Sequence, residues 1–422
     1  MISSRKITAQ ALCRVEEDGG YSNIVLGNFL NGFTLSKEDK GLISALFYGV
    51  LDRKITLDFY IGKLSKIKVK KLDPLTRQAL RIGIYQLAFM EKIPVSAAVN
   101  ESVNIVKNTD EQKNSGFINA LLRSAAEHLP SLPTSKDLFS LSVRYSCPVW
   151  IINELLADYG AEVTEEILSA YLLASKLNVC VNTVKISAEA LSNKFEEAGI
   201  KAELLSDNAS FNIIGGIDFN NNLQYIEGFF YAQDSASKNC AKALKAKAGE
   251  RVLDVCAAPG GKSFTVALSM ENKGEIVSCD LYENRVSLIK SGAERLGLSC
   301  IKPQVNDATV YNDNLGKFDA VLCDVPCSGF GVIRRKPEIK YKAIDDFKEL
   351  EKIQKDILEI SSKYVKQGGR LLYSTCTLRK SENEKQVEEF LNSHADFKCE
   401  YINTDLPGED GDGFFHALLI KD

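Results

Sequence analysis

The sequence predicts a chain of three parts: an all-α module, a small α+β module, and an α/β module on a mostly parallel, doubly wound sheet that closes in a terminal antiparallel hairpin. Three observations carry this prediction. From residue 241 onward, short β-rich runs alternate with helical patterns, as parallel strands joined by crossover helices do. Before residue 128 the apolar spacing is helical throughout. And 422 residues exceed what one hydrophobic core ordinarily organises.

The all-α module occupies 1–128. Ser36 followed by Lys37-Glu38-Asp39 reads as an N-cap with an acidic first turn, and Leu42, Ile43, Leu46, Phe47, Val50 and Leu51 follow at helical spacing. Asp73-Pro74 is a second helix start, with proline where its missing N–H costs nothing. The run 75–90 is apolar apart from Arg77, Gln78, Arg81 and Gln86, and predicts a central buried helix. Between these helices, residues 63–71 carry five lysines, which suit either a solvated loop or a phosphate-contacting patch.

Pro130 and Pro133, among Ser and Thr, mark a linker. The small α+β module, 136–228, is expected to hold a helix over 148–159, a strand over 178–185, a helix over 188–198 and weaker strands near 202–205 and 211–214. Pattern alone assigns it no activity. In the α/β module, 229–422, strands are expected at 251–256, 275–280, 301–305, 318–324 and 369–375. The closing hairpin is expected at 397–402 and 413–420.

Composition bounds the function. Apolar residues are 45% and charged residues 26% of the chain, ordinary for a soluble globular protein. No apolar stretch follows the first residues and none is long enough to cross a bilayer, so a cytoplasmic setting without membrane attachment is expected. The eleven cysteines are odd in number and scattered, which reads as reduced thiols. They form no CxxC pair, and His128, His394 and His416 lie far from them in sequence, so no metal site is expected. The formal net charge is −4, but residues 1–125 hold 18 Lys/Arg against 12 Asp/Glu, and the remainder 34 against 44. A basic amino-terminal module on an acidic body suits a polyanionic partner, and a solvated lysine-rich face gives the same count.

Two stretches carry chemistry. In the first, Arg251-Val-Leu-Asp-Val-Cys-Ala-Ala-Pro-Gly-Gly-Lys-Ser263, a buried strand runs through a turn of small residues into a helix, whose N-terminus can face a ligand. It is not a P-loop, because Cys256 stands where that motif needs its first glycine; nor is it the G-x-G-x-x-G of dinucleotide sites. Asp280 ends the next strand, where an acid can take both ribose hydroxyls. An adenosyl ligand without pyrophosphate fits, and S-adenosylmethionine is the common one; the bland alternative is a tight turn in an α/β sheet. In the second, Phe318-Asp-Ala-Val-Leu-Cys-Asp-Val-Pro-Cys-Ser-Gly329 delivers Asp324 and Cys327 to a strand's carboxyl end, and Tyr373-Ser-Thr-Cys-Thr377 puts Cys376 at the same edge. Arg334, Arg335 and Lys336 downstream are expected to favour a Cys327 thiolate. Either cysteine alone reads as a core thiol, whereas two beside an adenosyl site suggest nucleophilic chemistry.

These motifs, with Asp412-Gly-Phe-Phe-His-Ala-Leu-Leu-Ile420, resemble those of the Sun family of RNA (cytosine-5)-methyltransferases. The helical module resembles the NusB-like domain of one branch, the RsmB (Sun/Fmu) 16S rRNA enzymes, through 39–51, 80–87, 93–101 and 116–123. The resemblance implies a Rossmann-like methyltransferase domain, S-adenosyl-L-methionine as cofactor, and a monomer that binds 16S rRNA, naked or partly assembled. It makes Cys376 the nucleophile that adds to cytosine C6 and Cys327 the group that helps release product. Asp324 would contact N3 or the exocyclic amine, either as a protonated acid or by holding the amine. The cofactor positions carried over are Cys256, Ala257, Ala258, Pro259, Gly260, Gly261, Lys262, Asp280, Asp307 and Asp324. Phe230-Tyr-Ala-Gln-Asp-Ser-Ala-Ser237 resembles the element that packs near the cofactor. One departure is Cys180, where the family usually has Arg just before Val-Asn. Rival readings are cytosine-5 methylation of tRNA or another rRNA site, a NusB-like RNA-binding or transcription factor with an idle methyltransferase domain, and a DNA cytosine methyltransferase.

Overall fold

The computed structural model describes residues 3–18, 22–409 and 411–422, without the side chain of Asp18, so the first two residues of the expected helical module lie outside it. The chain divides into two compact units. One is Met1–Leu172 with Ile333–Ala343; the other is Leu173–Val332 with Ile344–Asp422.

The first unit is helical. Ser36 caps the helix Lys37–Asp52, its hydroxyl accepting from the Asp39 amide at 3.0 Å. Asp73 caps Pro74–Phe89 in the same way through Thr76, at 2.8 Å, so both expected starts hold. The second of these helices is central, packed against Ser4–Asp18, Lys37–Asp52, Val95–Asn104 and Ser115–Glu127. Its polar residues Gln78, Arg81 and Gln86 are buried with the apolar ones. Arg81 donates to both Asp58 oxygens at 2.7 and 2.8 Å and to Glu16 at 2.7 Å, and Gln78 Nε2 donates to Glu16 at 2.8 Å while its Oε1 is buried without a hydrogen-bond partner. The five lysines of 63–71 are exposed. The helix expected at 148–159 extends over Val149–Ala170, interrupted at Gly160, whose φ of +74° breaks the helical path. The segment 333–343 is fixed in this unit by Lys340, fully buried at its side chain, whose ammonium donates to the Asp52 carboxylate at 2.8 Å and carbonyl at 2.7 Å.

In the second unit, β1 (Leu177–Val181), β2 (Lys201–Leu204), β3 (Ser210–Ile214) and β4 (Phe230–Ala232) form an antiparallel sheet in the order β2-β3-β1-β4. The alternation read as a strand over 178–185 continues past the real end of β1. There the chain turns at Asn182, whose side-chain amide donates to the carbonyls of Gly228 and Leu296, both at 2.8 Å. Strand β4 was not expected. It is three residues long and carries no alternation to detect.

The larger sheet comprises β5 (Arg251–Asp254), β6 (Glu275–Asp280), β7 (Ile301–Val305), β8 (Phe318–Asp324), β9 (Val365–Thr375), β10 (Phe397–Asp405) and β11 (Phe414–Lys421), in the order β10-β11-β9-β8-β5-β6-β7. Strands β5 to β9 are parallel; β11 runs antiparallel to both β9 and β10. Successive residues fill opposite faces, as the two-residue period of a strand requires. Val252, Ile276, Leu322, Leu372 and Leu418 pack with the helices Ser235–Ala243, Gly261–Ser269 and Glu283–Leu296. Leu253, Val277, Cys323, Leu371 and Leu419 pack with Lys348–Lys363 and Glu384–Ser393. This is the doubly wound, mostly parallel sheet with a terminal antiparallel pair. Strand β9 starts four residues before its expected position, because Val365 pairs with Phe318 ahead of an irregularity in register. No helix among the described residues is long and apolar enough to cross a membrane.

Candidate active site

The carboxyl ends of β5, β6, β8 and β9 adjoin in the sheet, and each delivers a polar group. Strand β5 ends in Asp254, and the chain turns through Val255–Gly260 into the helix Gly261–Ser269. Gly260, at φ +113°, caps that helix, and a Cβ there would lie 2.4 Å from the Phe264 ring. Asp254 is 1% exposed. Its Oδ2 accepts from Ser263 at 2.6 Å, while Oδ1 is buried without a hydrogen-bond partner. Burial, with the Asp324 charge added, raises its carboxyl to about 7 against the opposing Ser263 hydrogen bond and Lys262 charge. Asp280, at the end of β6, accepts from the Ala258 amide at 3.3 Å and pairs with Arg285 at 3.1 Å. Asp307 is exposed, beyond β7, and accepts from the Thr309 amide and hydroxyl at 2.9 and 2.7 Å. An orphaned buried carboxylate oxygen, an acid at the next strand end and a glycine turn form a donor and acceptor set that fits an adenosyl group with a charged amino-acid tail. The residues 230–237 adjoin this turn: Gln233 accepts from the Thr265 hydroxyl at 2.6 Å.

Lys262 crosses from the glycine turn to β8. Its ammonium lies 2.8 Å from Asp324 Oδ2 and 4.7 Å from the centre of the Phe414 ring. Burial works against that charge, but Asp324 outweighs it and the ammonium is held more firmly than in water. The other oxygen of Asp324 accepts from the Ser374 hydroxyl at 2.9 Å.

The two cysteines meet. Cys327 Sγ and Cys376 Sγ are 3.2 Å apart, and the Cys376 amide donates to Cys327 Sγ at 3.3 Å. The expected basic activation of Cys327 does not hold. Arg334, Arg335 and Lys336 lie in the segment grouped with the first unit. What acts on Cys327 is its hydrogen bond with Cys376, then burial, then the negative charges of Cys376, Glu382 and Asp324, which together push its thiol well above the ordinary range. The loop after Cys327 passes close to the closing motif. The Gly331 amide donates to the Cys376 carbonyl at 2.9 Å and its carbonyl accepts from Gly413 at 2.8 Å, and a Cβ on Gly331 would strike the Gly413 oxygen at 2.0 Å. Cys180 lies in β1 at 1% exposure, its Sγ accepting from the Ser210 hydroxyl at 3.7 Å.

Sequence reasoning missed the residues behind these loops. Glu382 and Asn383, with fully buried side chains, and Gln354 from the helix Lys348–Lys363 bond to the cysteine loops. Nothing in their spacing distinguishes them from other polar residues near a helix start.

Comparison with known proteins agrees with this arrangement. Residues 241–419 match the family described as 16S rRNA methyltransferase RsmB/F, residues 2–127 the NusB family, and residues 147–210 the ferredoxin-like domain of RsmF/B-like methyltransferases. The chain is similar to the probable ribosomal RNA small subunit methyltransferase B of Bacillus subtilis, with 38% identity over 94% of this chain and 90% of that protein. It is also similar to the ribosomal RNA small subunit methyltransferase B of Proteus mirabilis, with 31% identity over 99% and 98%. Among solved structures, a methyltransferase homolog protein from Pyrococcus horikoshii superposes with a TM-score of 0.60 at 25% identity, covering 68% of this chain and 100% of the other.

Proposed function

This chain belongs to the RsmB/F family of 16S rRNA methyltransferases, and on that premise we propose that it forms 5-methylcytosine in 16S rRNA through a covalent bond between Cys376 and cytosine C6. S-adenosylmethionine, held by the 256–262 turn with Asp280, Asp307 and Asp324, supplies an electrophilic methyl group on a sulfonium. The enzyme acts as a cytoplasmic monomer, with 1–128 binding RNA, 136–228 linking and 229–422 catalysing.

The observation that carries this reading is the 3.2 Å pairing of Cys327 with Cys376 beside Asp324 and Lys262. Carbon 5 of cytosine is a weak nucleophile. When the Cys376 thiolate adds to C6, the C5–C6 double bond opens and C5 gains the electron pair it needs to attack the methyl carbon. The methyl donor held at that turn would supply the methyl group, keeping the electron pair of the broken carbon–sulfur bond as a neutral thioether. A base then takes the C5 proton, the C6–S bond breaks, the double bond returns and Cys376 leaves as thiolate. Asp324, fixed between Lys262 and Ser374, suits the role of holding the exocyclic amine, because the two bonds set the direction in which its oxygens face. Cys327, pushed toward its thiol form, keeps its proton while Cys376 attacks and takes part in release. The base must be unstacked for any of this, which favours loops or partly unfolded RNA.

Bisulfite sequencing of 16S rRNA from a deletion strain tests the product. One protected cytosine should lose protection and regain it with the wild-type gene but not with Cys376→Ala. Unchanged protection in the deletion strain would rule the assignment out. Denaturing gels with labelled RNA test the roles: Cys327→Ala should accumulate a slow protein–RNA band and Cys376→Ala should form none. The reverse pattern exchanges the two roles.

A further inference from the structure

Each cysteine loop is held from behind by one of two consecutive residues. The Glu382 side chain is fully buried. Its Oε2 accepts from the Ser328 amide at 2.9 Å and from Gln354 Nε2 at 2.8 Å, and its Oε1 from Arg379 at 3.0 Å. The same Gln354 nitrogen donates to the Pro326 carbonyl at 2.9 Å. Glu382 and Gln354 thus grip the backbone on both sides of Cys327. Asn383 does the same for Cys376: its Oδ1 accepts from the Thr375 hydroxyl at 2.6 Å and its Nδ2 donates to the Thr377 carbonyl at 3.0 Å. The two loops are also tied directly, Ser328 to Thr377 through their hydroxyls at 2.7 Å.

A purely local explanation does not account for this pair. Asn383 precedes the helix Glu384–Ser393, where an asparagine ordinarily caps the helix, yet its side chain makes no capping bond. It spends its amide on the Cys376 loop instead. A carboxylate at full burial is costly unless well bonded, and Glu382 collects its donors from the Cys327 loop, from Gln354 and from Arg379.

We propose that Glu382 and Asn383 are positioning residues that together set the register of the two thiol loops, and so the spacing of Cys327 from Cys376. The assignment rests on the two-thiol reading above. Neither residue touches substrate; both act through the loops they hold. Because they are adjacent in the chain, a shift of one grip moves with the other, and the sulfur pair stays matched.

The spacing can be read without RNA or cofactor. Diamide accepts two electrons and two protons from a pair of neighbouring thiols, becoming a hydrazine while an S–S bond forms. Its rate with Cys327 and Cys376, followed by non-reducing peptide mapping of the full-length protein, reports the distance between the loops. In Glu382→Gln the amide nitrogen must face either Arg379 or the Ser328 and Gln354 donors, so the side chain loses at least one of its bonds, and in Asn383→Ser both grips on the Cys376 loop are lost. Each variant should form the Cys327–Cys376 disulfide about tenfold or more slowly, and lower kcat roughly tenfold to a hundredfold with KM for RNA within about twofold, the effect of a misplacement near 1 Å. Melting temperature should stay close to wild type. Unchanged disulfide rates in both variants overturn the proposal, as does loss of the fold in both, which would make the pair structural. Slowed disulfide formation in a protein whose wild type methylates no cytosine leaves the positioning intact and removes the proposed reaction.

Discussion

Two buried polar clusters in this molecule obey different rules. In the helical unit, Arg81, 3% exposed, lies among Glu16, Asp58 and Gln78, and Lys54 and Arg77 also bond to Glu16. Burial alone would raise the Glu16 carboxyl, but Arg81 and Lys54 overcome it and hold it at about 2. At the strand ends, Asp254 is buried more deeply than Glu16 and its carboxyl moves the other way, to about 7, because burial and a second acid outweigh the Ser263 hydroxyl, the Lys262 ammonium and the Cys256 backbone. The first cluster pairs its charges with one another and fixes helices, although the neutral Gln78 Oε1 is left without a partner. The second leaves an oxygen without a partner and two sulfurs in contact, and perturbed, under-satisfied groups in a ligand-facing edge are what catalysis or binding uses.

The largest effect expected from this contrast is on stability. Arg81→Ala takes a buried cation from two half-buried carboxylates, Asp58 and Glu16, of which Glu16 keeps Lys54 and Arg77, and should cost about 3 kcal/mol, measured by urea unfolding. Asp254→Asn removes a charge that burial disfavours and should leave stability at neutral pH unchanged or raised, never lowered to the same degree. Equal losses from the two would erase the distinction.

Next is the response to ligand. S-adenosylmethionine at a hundredfold excess over its Kd should stabilise the protein by about 2.7 kcal/mol, and Asp280→Ala should remove most of that gain while leaving the unliganded protein unchanged. Calorimetry that finds NAD or ATP binding and no heat with S-adenosylmethionine or its demethylated product would reject the cofactor assignment.

How much of this could be read from the sequence depends on the range of the interaction. The strand ends that carry Asp280, Asp324 and Cys376 were legible, because a two-residue period and a turn of small residues are local signals, whereas β5 was expected to run to Cys256 and ends at Asp254. The caps at Ser36 and Asp73 were legible too. The meeting of Cys327 with Cys376 was inferable only as a shared edge, since their distance depends on the order β9-β8-β5. The thiol state of Cys327 was illegible, because it is set by Cys376, 49 residues away in the chain, and by burial, with Glu382 and Asp324. Glu382 and Asn383 were illegible: their partners lie up to 54 residues away, and no periodicity marks a buried carboxylate. The helix expected over 148–159 stops where Gly160 breaks the helical path, and what was missed is its resumption as far as Ala170.

The two clusters should also separate by pH. Glu16 sits below its ordinary 4.5, so its contribution is complete above that value and is lost as pH falls toward 2. Asp254 sits above its ordinary 3.8, so its contribution is complete below 3.8 and is lost as pH rises through 7. Arg81→Ala should therefore flatten the acid limb of the stability profile, and Asp254→Asn the limb between pH 4 and 7. A single profile shared by wild type and Asp254→Asn across that window would show that the Asp254 oxygen is satisfied after all.

The smallest expected effect falls on the exposed lysines of 63–71, which neither cluster uses. Their ammonium groups point to solvent, so replacing Lys68 and Lys70 with Gln should leave unfolding and cofactor binding unchanged within error. If they meet RNA phosphates, each contact releases counterions on binding. For single-stranded RNA the slope of log affinity against log salt should then become shallower by roughly 0.7 per lysine, about 1.4 for the pair. Filter binding to rRNA fragments from 50 to 300 mM salt resolves that difference. An unaltered slope with unaltered affinity makes the run a solvated surface, and leaves the basic balance of the helical module to be explained by charges such as Arg81 that are already spent on its own core.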